Sequence, residues 1–160
     1  FPPLPGTQLE VDGIAQQFPE AEVYLTTTAT EAQLKTVQEP SILHLATHGF
    51  FRAPNNTLNP LLQSGLVLAG VAELSVSEGL YGLRRALVLA GTHSQVMSLW
   101  KVDDTATQEL MVAYYKKLRA GTPRDQALTE TQREFLLNSE YDHPYYWAAF
   151  IGSGDWRPLD

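Results

Sequence analysis

Ile42-Leu43-His44-Leu45-Ala46-Thr47-His48-Gly49-Phe50-Phe51 decides how this chain is read. It opens as a short apolar run, long enough for one buried strand and too short for an ordinary helix. His48 and Gly49 then place an imidazole where the strand ends and a flexible turn begins. Open α/β sheets carry their chemistry just beyond the carboxyl ends of their strands. A histidine there can serve as a general base, because its ordinary pKa lies near neutrality. The plainer reading is a strand-end histidine bonded to backbone, and the residues alone do not choose between the two. His44, inside the run, reads as a satisfied core histidine. An i,i+4 pair of metal-ligating histidines is a helix signature, and this pattern is a strand.

Upstream of that stretch, Phe1 to Gly6 is a proline-rich entry segment. Thr7-Gln8-Leu9-Glu10 has the form of a capping box, and Val11, Ile14, Ala15 and Phe18 then fall on one helical face. Pro19 ends that helix. Ala21 to Leu25 is a short strand candidate. Thr30-Glu31-Ala32-Gln33 is a second capping box, opening a brief helix to about Val37. The order helix, strand, helix, strand favours a parallel sheet with crossover helices.

Downstream, Arg52 to Gln63 is a polar loop with two prolines and three asparagines, a type of segment that often carries binding function. Ser64 to Gly70 is a strand candidate, and Val71 to Glu78 has no clear period. Gly79 to Ala90 reads as a helix with Gly91 as its C-cap. Ser94 to Trp100 is a strand ending in the polar turn Lys101-Val102-Asp103-Asp104. Asp104 caps the next helix, whose apolar stripe is Leu110, Met111, Tyr114 and Leu118, and Gly121 closes it. Pro123 takes the first position of a further helix with the stripe Ala127, Leu128, Thr131 and Phe135. His143-Pro144 marks a turn, and Tyr146 to Ile151 is a last strand candidate.

With the cap given to Asp104, Asp103 is left either to line a pocket that selects a basic group or to sit in a solvated turn. A carboxylate and a guanidinium can form two parallel hydrogen bonds, which is the chemistry such a pocket would use. Gly152-x-Gly154 has no helix after it and is not a phosphate loop. Ser75 and Ser77 lack the surroundings of a Gly-x-Ser-x-Gly nucleophile.

The composition bounds the remaining options. At 160 residues, 44% hydrophobic and 18% charged, the chain suits one domain with a real core. A net charge of -7 argues against nucleic acid or an anionic membrane as the main partner. No apolar run approaches the roughly 20 residues that span a bilayer, and no export signal is visible, so the cytoplasm is expected. Phe1 is not a start methionine, so a longer parent protein is expected. There is no cysteine. That excludes disulfides, thiolate metal sites and a cysteine nucleophile within this polypeptide. Neither a metal nor a cofactor is implied.

Five stretches in order resemble the CHAT domain: LPGTQLEVDGIA (Leu4 to Ala15), ILHLATHGFF (Ile42 to Phe51), SGLVLAG (Ser64 to Gly70), GLYGLRRALVLAGTHSQVMSLWKVDDTAT (Gly79 to Thr107) and HPYYWAAFIGSGDW (His143 to Trp156). This is the caspase-like domain found with tetratricopeptide repeats, mostly in bacterial proteins. The resemblance implies a single CHAT domain over residues 1–160, forming the C-terminal part of a longer protein. It implies an α/β fold: a mainly parallel, caspase-like sheet flanked by helices. It also implies relatives among the clan CD cysteine peptidases, such as caspases and separase. His48 matches the family's catalytic histidine, whose role is to deprotonate or orient the nucleophile. Gly49 matches the motif glycine, whose N–H would help hold the oxyanion. Asp103 would stand near the primary specificity pocket and favour Lys or Arg.

One departure stands against these matches. The family has a further strand, ending in Ser-Ala-Cys-Glu-Thr-Gly, between its Leu-Val-Leu-Ala-Gly segment and its Gly-Leu-Arg-Arg helix. Here only Val71 to Glu78 bridges the two. Aligning Leu74-Ser75-Val76-Ser77 with Leu-Ser-Ala-Cys would put Ser77 at the nucleophile, but eight residues are too few for both the connection and a core strand. Loss of a central strand leaves unpaired backbone groups, each costing about 1–3 kcal/mol if buried. Typical stabilities are roughly 5–15 kcal/mol. The neighbours must therefore close up, or the strand of His48 must become an edge. Three functions follow as expectations: a caspase-like endopeptidase that has lost its nucleophile, a non-catalytic interaction module or, last, a serine hydrolase built on His48 and Ser77. The partner would be a protein or peptide, or the tetratricopeptide repeats of the same full-length protein.

Overall fold

The computed structural model describes residues 4–38, 40–51, 64–69, 74–76, 87–88 and 91–159. Element order is α1 (Pro5–Gln17), a 3-10 turn (Thr26–Thr28), α2 (Glu31–Thr36), β1 (Gly49–Phe51), β2 (Ser64–Leu66), β3 (Leu74–Val76), β4 (Ser94–Ser98), α3 (Asp104–Arg119), α4 (Arg124–Leu137), α5 (Pro144–Trp147) and β5 (Phe150–Gly154). The chain divides into two units. Residues 24–92 form one, and residues 2–23 with 93–160 form the other. The expected loop at 52–63, Ser77 and most of the expected helix at 79–90 lie outside the described residues.

In the second unit, the predicted stripes are the core. Leu110, Met111, Tyr114 and Leu118 of α3 are buried, as are Ala127, Leu128, Thr131 and Phe135 of α4. Both sets recur at three- and four-residue spacing, so each lies on one helical face. Asp104 in the first turn of α3 and Lys116, Lys117 and Arg119 in its last turn suit the helix dipole. Gly121, at φ +84, stops the helix. Its N–H donates to the Leu118 carbonyl and that of Thr122 to the Lys117 carbonyl, the paired bonds of a glycine stop. Pro123 proves to be the N-cap of α4 rather than its first residue.

The α1 helix starts two residues before the Thr7 box. Pro5 fixes the first helical φ, and the Thr7 N–H already donates to the Leu4 carbonyl at 3.2 Å. Its buried residues are Gly6, Glu10 and Ile14; of the expected stripe Ile14 is buried, while Val11, Ala15 and Phe18 are half-buried. Gly6 and Gly13 let α1 approach α3: a β-carbon on Gly13 would stand 2.6 Å from a Val112 methyl. Phe18 meets Tyr115 edge-on at 5.8 Å, with the Arg119 guanidinium 5.1 Å from its ring centre.

β4 and β5 pair antiparallel, from Ser94 with Gly154 to Ser98 with Phe150. The last strand therefore starts later than its aromatic run suggested. Tyr146 and Trp147 belong to α5, because His143 caps that helix through Nδ1 and Pro144 opens it.

In the first unit, Thr30 Oγ1 caps α2 by accepting from the Gln33 N–H at 3.1 Å. The Gln33 side chain turns to Thr36 instead, so half the capping box forms. Ala21 to Leu25 and Ile42 to Ala46 form no strand. β1, β2 and β3 make an antiparallel sheet in that order. The short connection from β2 to β3 allows only antiparallel pairing, since a parallel return needs a crossover of roughly a dozen residues. The bridge Val71 to Glu78 thus holds a strand that its sequence did not announce. Gly91 ends a helical turn as expected: its N–H donates to the Val88 carbonyl and that of Thr92 to the Leu87 carbonyl.

The architecture is mixed α and β, and the mainly parallel sheet is corrected. All strand pairs among the described residues are antiparallel, and the one parallel contact is the Thr30–Ala69 bridge.

Candidate functional site

His48 stands directly before β1, not after a strand as its sequence context suggested. A buried central strand needs a neighbour on each side, and pairing among the described residues starts only at its carbonyl. That carbonyl accepts the Val67 N–H at 3.0 Å. Thr47 Oγ1 donates to the Val67 carbonyl at 2.5 Å. Both backbone groups of Val67 are therefore held by Thr47 and His48, which fixes the main chain that carries the half-buried imidazole.

The ladder register decides what Gly49 can do. His48 and Val67 are a hydrogen-bonded pair, and Gly49 lies opposite Leu66 one step along. Hydrogen-bonded and non-bonded pairs alternate in an antiparallel ladder, so the Gly49 N–H points away from β2. β1 is the outer strand of its sheet among the described residues. Among the described residues the Gly49 donor therefore faces the side of β1 that no strand pairs, one residue from His48, and Gly49 itself is exposed. An outward amide and a histidine one residue before it are the oxyanion donor and the base that the expected acyl-transfer site would need. Thr47 escaped the sequence reading. Its only signal is a hydroxyl residue immediately before the histidine.

Asp103 belongs to the second unit. It is the N-cap of α3: its Oδ1 accepts the Ala106 N–H at 3.0 Å, and its carbonyl accepts from the Thr107 hydroxyl at 2.6 Å. The cap assigned to Asp104 is thus corrected by one residue. Asp104 instead sends its carboxylate to the Gly6 N–H at 2.5 Å. One Asp103 oxygen, Oδ1, is thus engaged in capping.

Among the described residues, no three His, Cys, Asp or Glu side chains stand close enough to hold a metal ion. No helix among them is long and apolar enough to cross a membrane.

Comparison with known proteins follows the same lines. The chain is 31% identical over 90 residues to Tetratricopeptide repeat protein 28 of Homo sapiens, covering 54% of this chain and 4% of that protein. It is 32% identical over 79 residues to Tetratricopeptide repeat protein 28 of Mus musculus, covering 48% of this chain and 3% of that one. Both relatives are far longer than the stretch they share with it. No solved structure matches. The CHAT domain model matches in two pieces, residues 1–75 and 71–155. The pieces overlap inside the connection Val71 to Glu78, where the resemblance already placed a break. Together they take in nearly the whole chain, which belongs to the CHAT domain family.

Proposed function

We propose that this chain is one CHAT domain over residues 1–160, of caspase-like cysteine-endopeptidase descent, disarmed by loss of its nucleophile and retained for binding protein. The observation that carries this reading is the absence of cysteine from all 160 residues. The division of the family match at residues 71–75 supports it, because the family's nucleophile segment would follow there. In the parent chemistry His48 would take the thiol proton, the Gly49 N–H would hold the oxyanion, and Asp103 would favour Lys or Arg. Without a thiol, the base has no proton to take and no acyl-enzyme forms.

The binding role rests on the relatives, whose name carries tetratricopeptide repeats. The partner is a protein or peptide, with repeats of the same full-length protein as the first candidate and the cytoplasm as the setting. The test is a titration of the purified chain with a recombinant repeat segment from its own gene. Micromolar binding that survives His48→Ala supports the module. No binding, or binding that needs the imidazole, counts against it.

A further inference from the structure

A cleft of about 360 Å³ lies in the second unit between the β4–β5 ribbon and α4. That volume falls in the range of small-molecule sites, roughly 300–1,000 Å³. Its apolar wall is Val96, Leu128 and Phe150. A β-carbon on Gly152 would reach ordinary van der Waals contact with the Leu128 side chain, at 3.5 Å, so larger side chains there would grow into the cleft.

The polar groups are unevenly engaged. Asp125 already accepts the Gln126 N–H at 2.7 Å. Asp155 is held in a fork by Arg157, with contacts of 2.6 to 3.1 Å. The donors are less committed. Tyr114 is 5% exposed and lines the cleft, and its hydroxyl makes no hydrogen bond among the described residues. Arg124 gives Nη1 to the Arg157 and Pro158 carbonyls, at 2.5 and 3.0 Å, while its Nη2 and Nε make no hydrogen bond among those residues. Burial pushes the Tyr114 phenol up to about 12, with the Arg124 charge acting in the opposite direction. The hydroxyl therefore stays a donor at neutral pH, within the electrostatic reach of the guanidinium.

Arg157 balances the Asp155 charge, so the uncommitted donors of Tyr114 and Arg124 beside an apolar wall suit an acceptor with a negative charge, with Asp125 the one unpaired carboxylate in the lining among the described residues. We propose that this cleft binds a monocarboxylate on a small apolar body, the carboxylate meeting Tyr114 and Arg124 and the body resting on Leu128 and Val96. Asp103 is not part of the lining of this cleft.

The test is calorimetric titration of the whole chain with two probes, 4-methylpentanoate and acetyl-Gly-Gly-Leu with a free carboxyl end, each against its amide. At least one acid binds, and its amide binds about tenfold more weakly or worse, as loss of a charged hydrogen bond requires. Binding of the small acid alone identifies a free metabolite as the source, and binding of the peptide alone identifies a chain terminus. Tyr114→Phe weakens binding by a similar factor at an unchanged melting temperature, and Gly152→Leu weakens it by filling the cleft. Failure of both acids at millimolar concentration overturns the proposal. So does equal binding of acid and amide, or binding indifferent to both substitutions.

Discussion

The Gly6 N–H donates to the Asp104 carboxylate at 2.5 Å, joining residues 98 positions apart at the start of two packed helices. A β-carbon on Gly6 would stand 2.7 Å from Asp104 Cγ and 2.8 Å from the Asp104 carbonyl oxygen. Backbone cannot yield as a side-chain tip can. Gly6→Ala should destabilise the chain by about 1–3 kcal/mol, the usual cost of overpacking. Asp104→Asn keeps the shape and weakens a charge-assisted bond, so it should lose only about 1 kcal/mol. Urea unfolding midpoints check both, and a wild-type midpoint for Gly6→Ala would contradict the contact.

Asp103 carries a structural duty that can be separated from recognition. Asp103→Ala removes the cap of α3 and should cost about 1 kcal/mol. Asp103→Asn keeps an accepting oxygen for the Ala106 N–H and should cost a few tenths, since Asn caps nearly as well as Asp. If the carboxylate also meets a basic residue, the Asn variant loses affinity for Lys- or Arg-containing peptides at unchanged stability. Equal destabilisation by Ala and Asn would contradict the cap.

Gly121 and Gly154 share a positive φ and differ in the space around them. Gly121 has no atom within 4 Å of where a β-carbon would go, so Gly121→Ala should cost roughly 1–2 kcal/mol of backbone strain alone. At Gly154 that carbon would meet the His93 carbonyl oxygen. Strain and overpacking then combine to above about 3 kcal/mol, and the β4–β5 ladder should open at that end. Amide exchange of β4 and β5 in the two variants distinguishes the cases.

Stability should fall at both ends of the pH scale for identifiable reasons. Burial raises the phenols of Tyr114 and Tyr115; in Tyr115 the neighbouring charges of Tyr114 and Glu10 add to it. A raised folded pKa gives stability that is complete below the unfolded value of about 10 and lost as pH rises through the folded one. Phenylalanine at both positions should flatten the alkaline limb. At the acid end, the hydrogen bonds from Arg157 hold the Asp155 carboxyl well below the usual range. That contribution is present above about pH 4 and lost as pH falls further, so Asp155→Asn should shallow the acid limb. Unfolding free energy measured across pH for the three variants checks each sign.

What the sequence made legible was local. The α3 and α4 stripes are periodic and every residue of both is buried, with α3 burying Ala106 and Tyr115 besides. The glycine stop after α3 announces itself through Gly121. Neighbouring signals competed at finer scale: Pro5 outranked the Thr7 box, and Asp103 took the cap that Asp104 was equally equipped to make. Strand direction was not legible, because pairing of Gly49 with Leu66 or Ser94 with Gly154 depends on distant partners. The same holds for the outward N–H of Gly49, which follows from ladder register. The cleft around Tyr114 gathers positions from Ser94 to Trp156 and leaves no motif for a linear reading.

The loss of the nucleophile is tested most directly by cleavage. The purified chain is incubated with fluorogenic peptides ending in Lys or Arg, beside His48→Ala and buffer alone. A disarmed domain predicts the same background signal in all three. Turnover by the unaltered chain that His48→Ala abolishes would contradict it, and would require an attacking group other than sulfur beside His48.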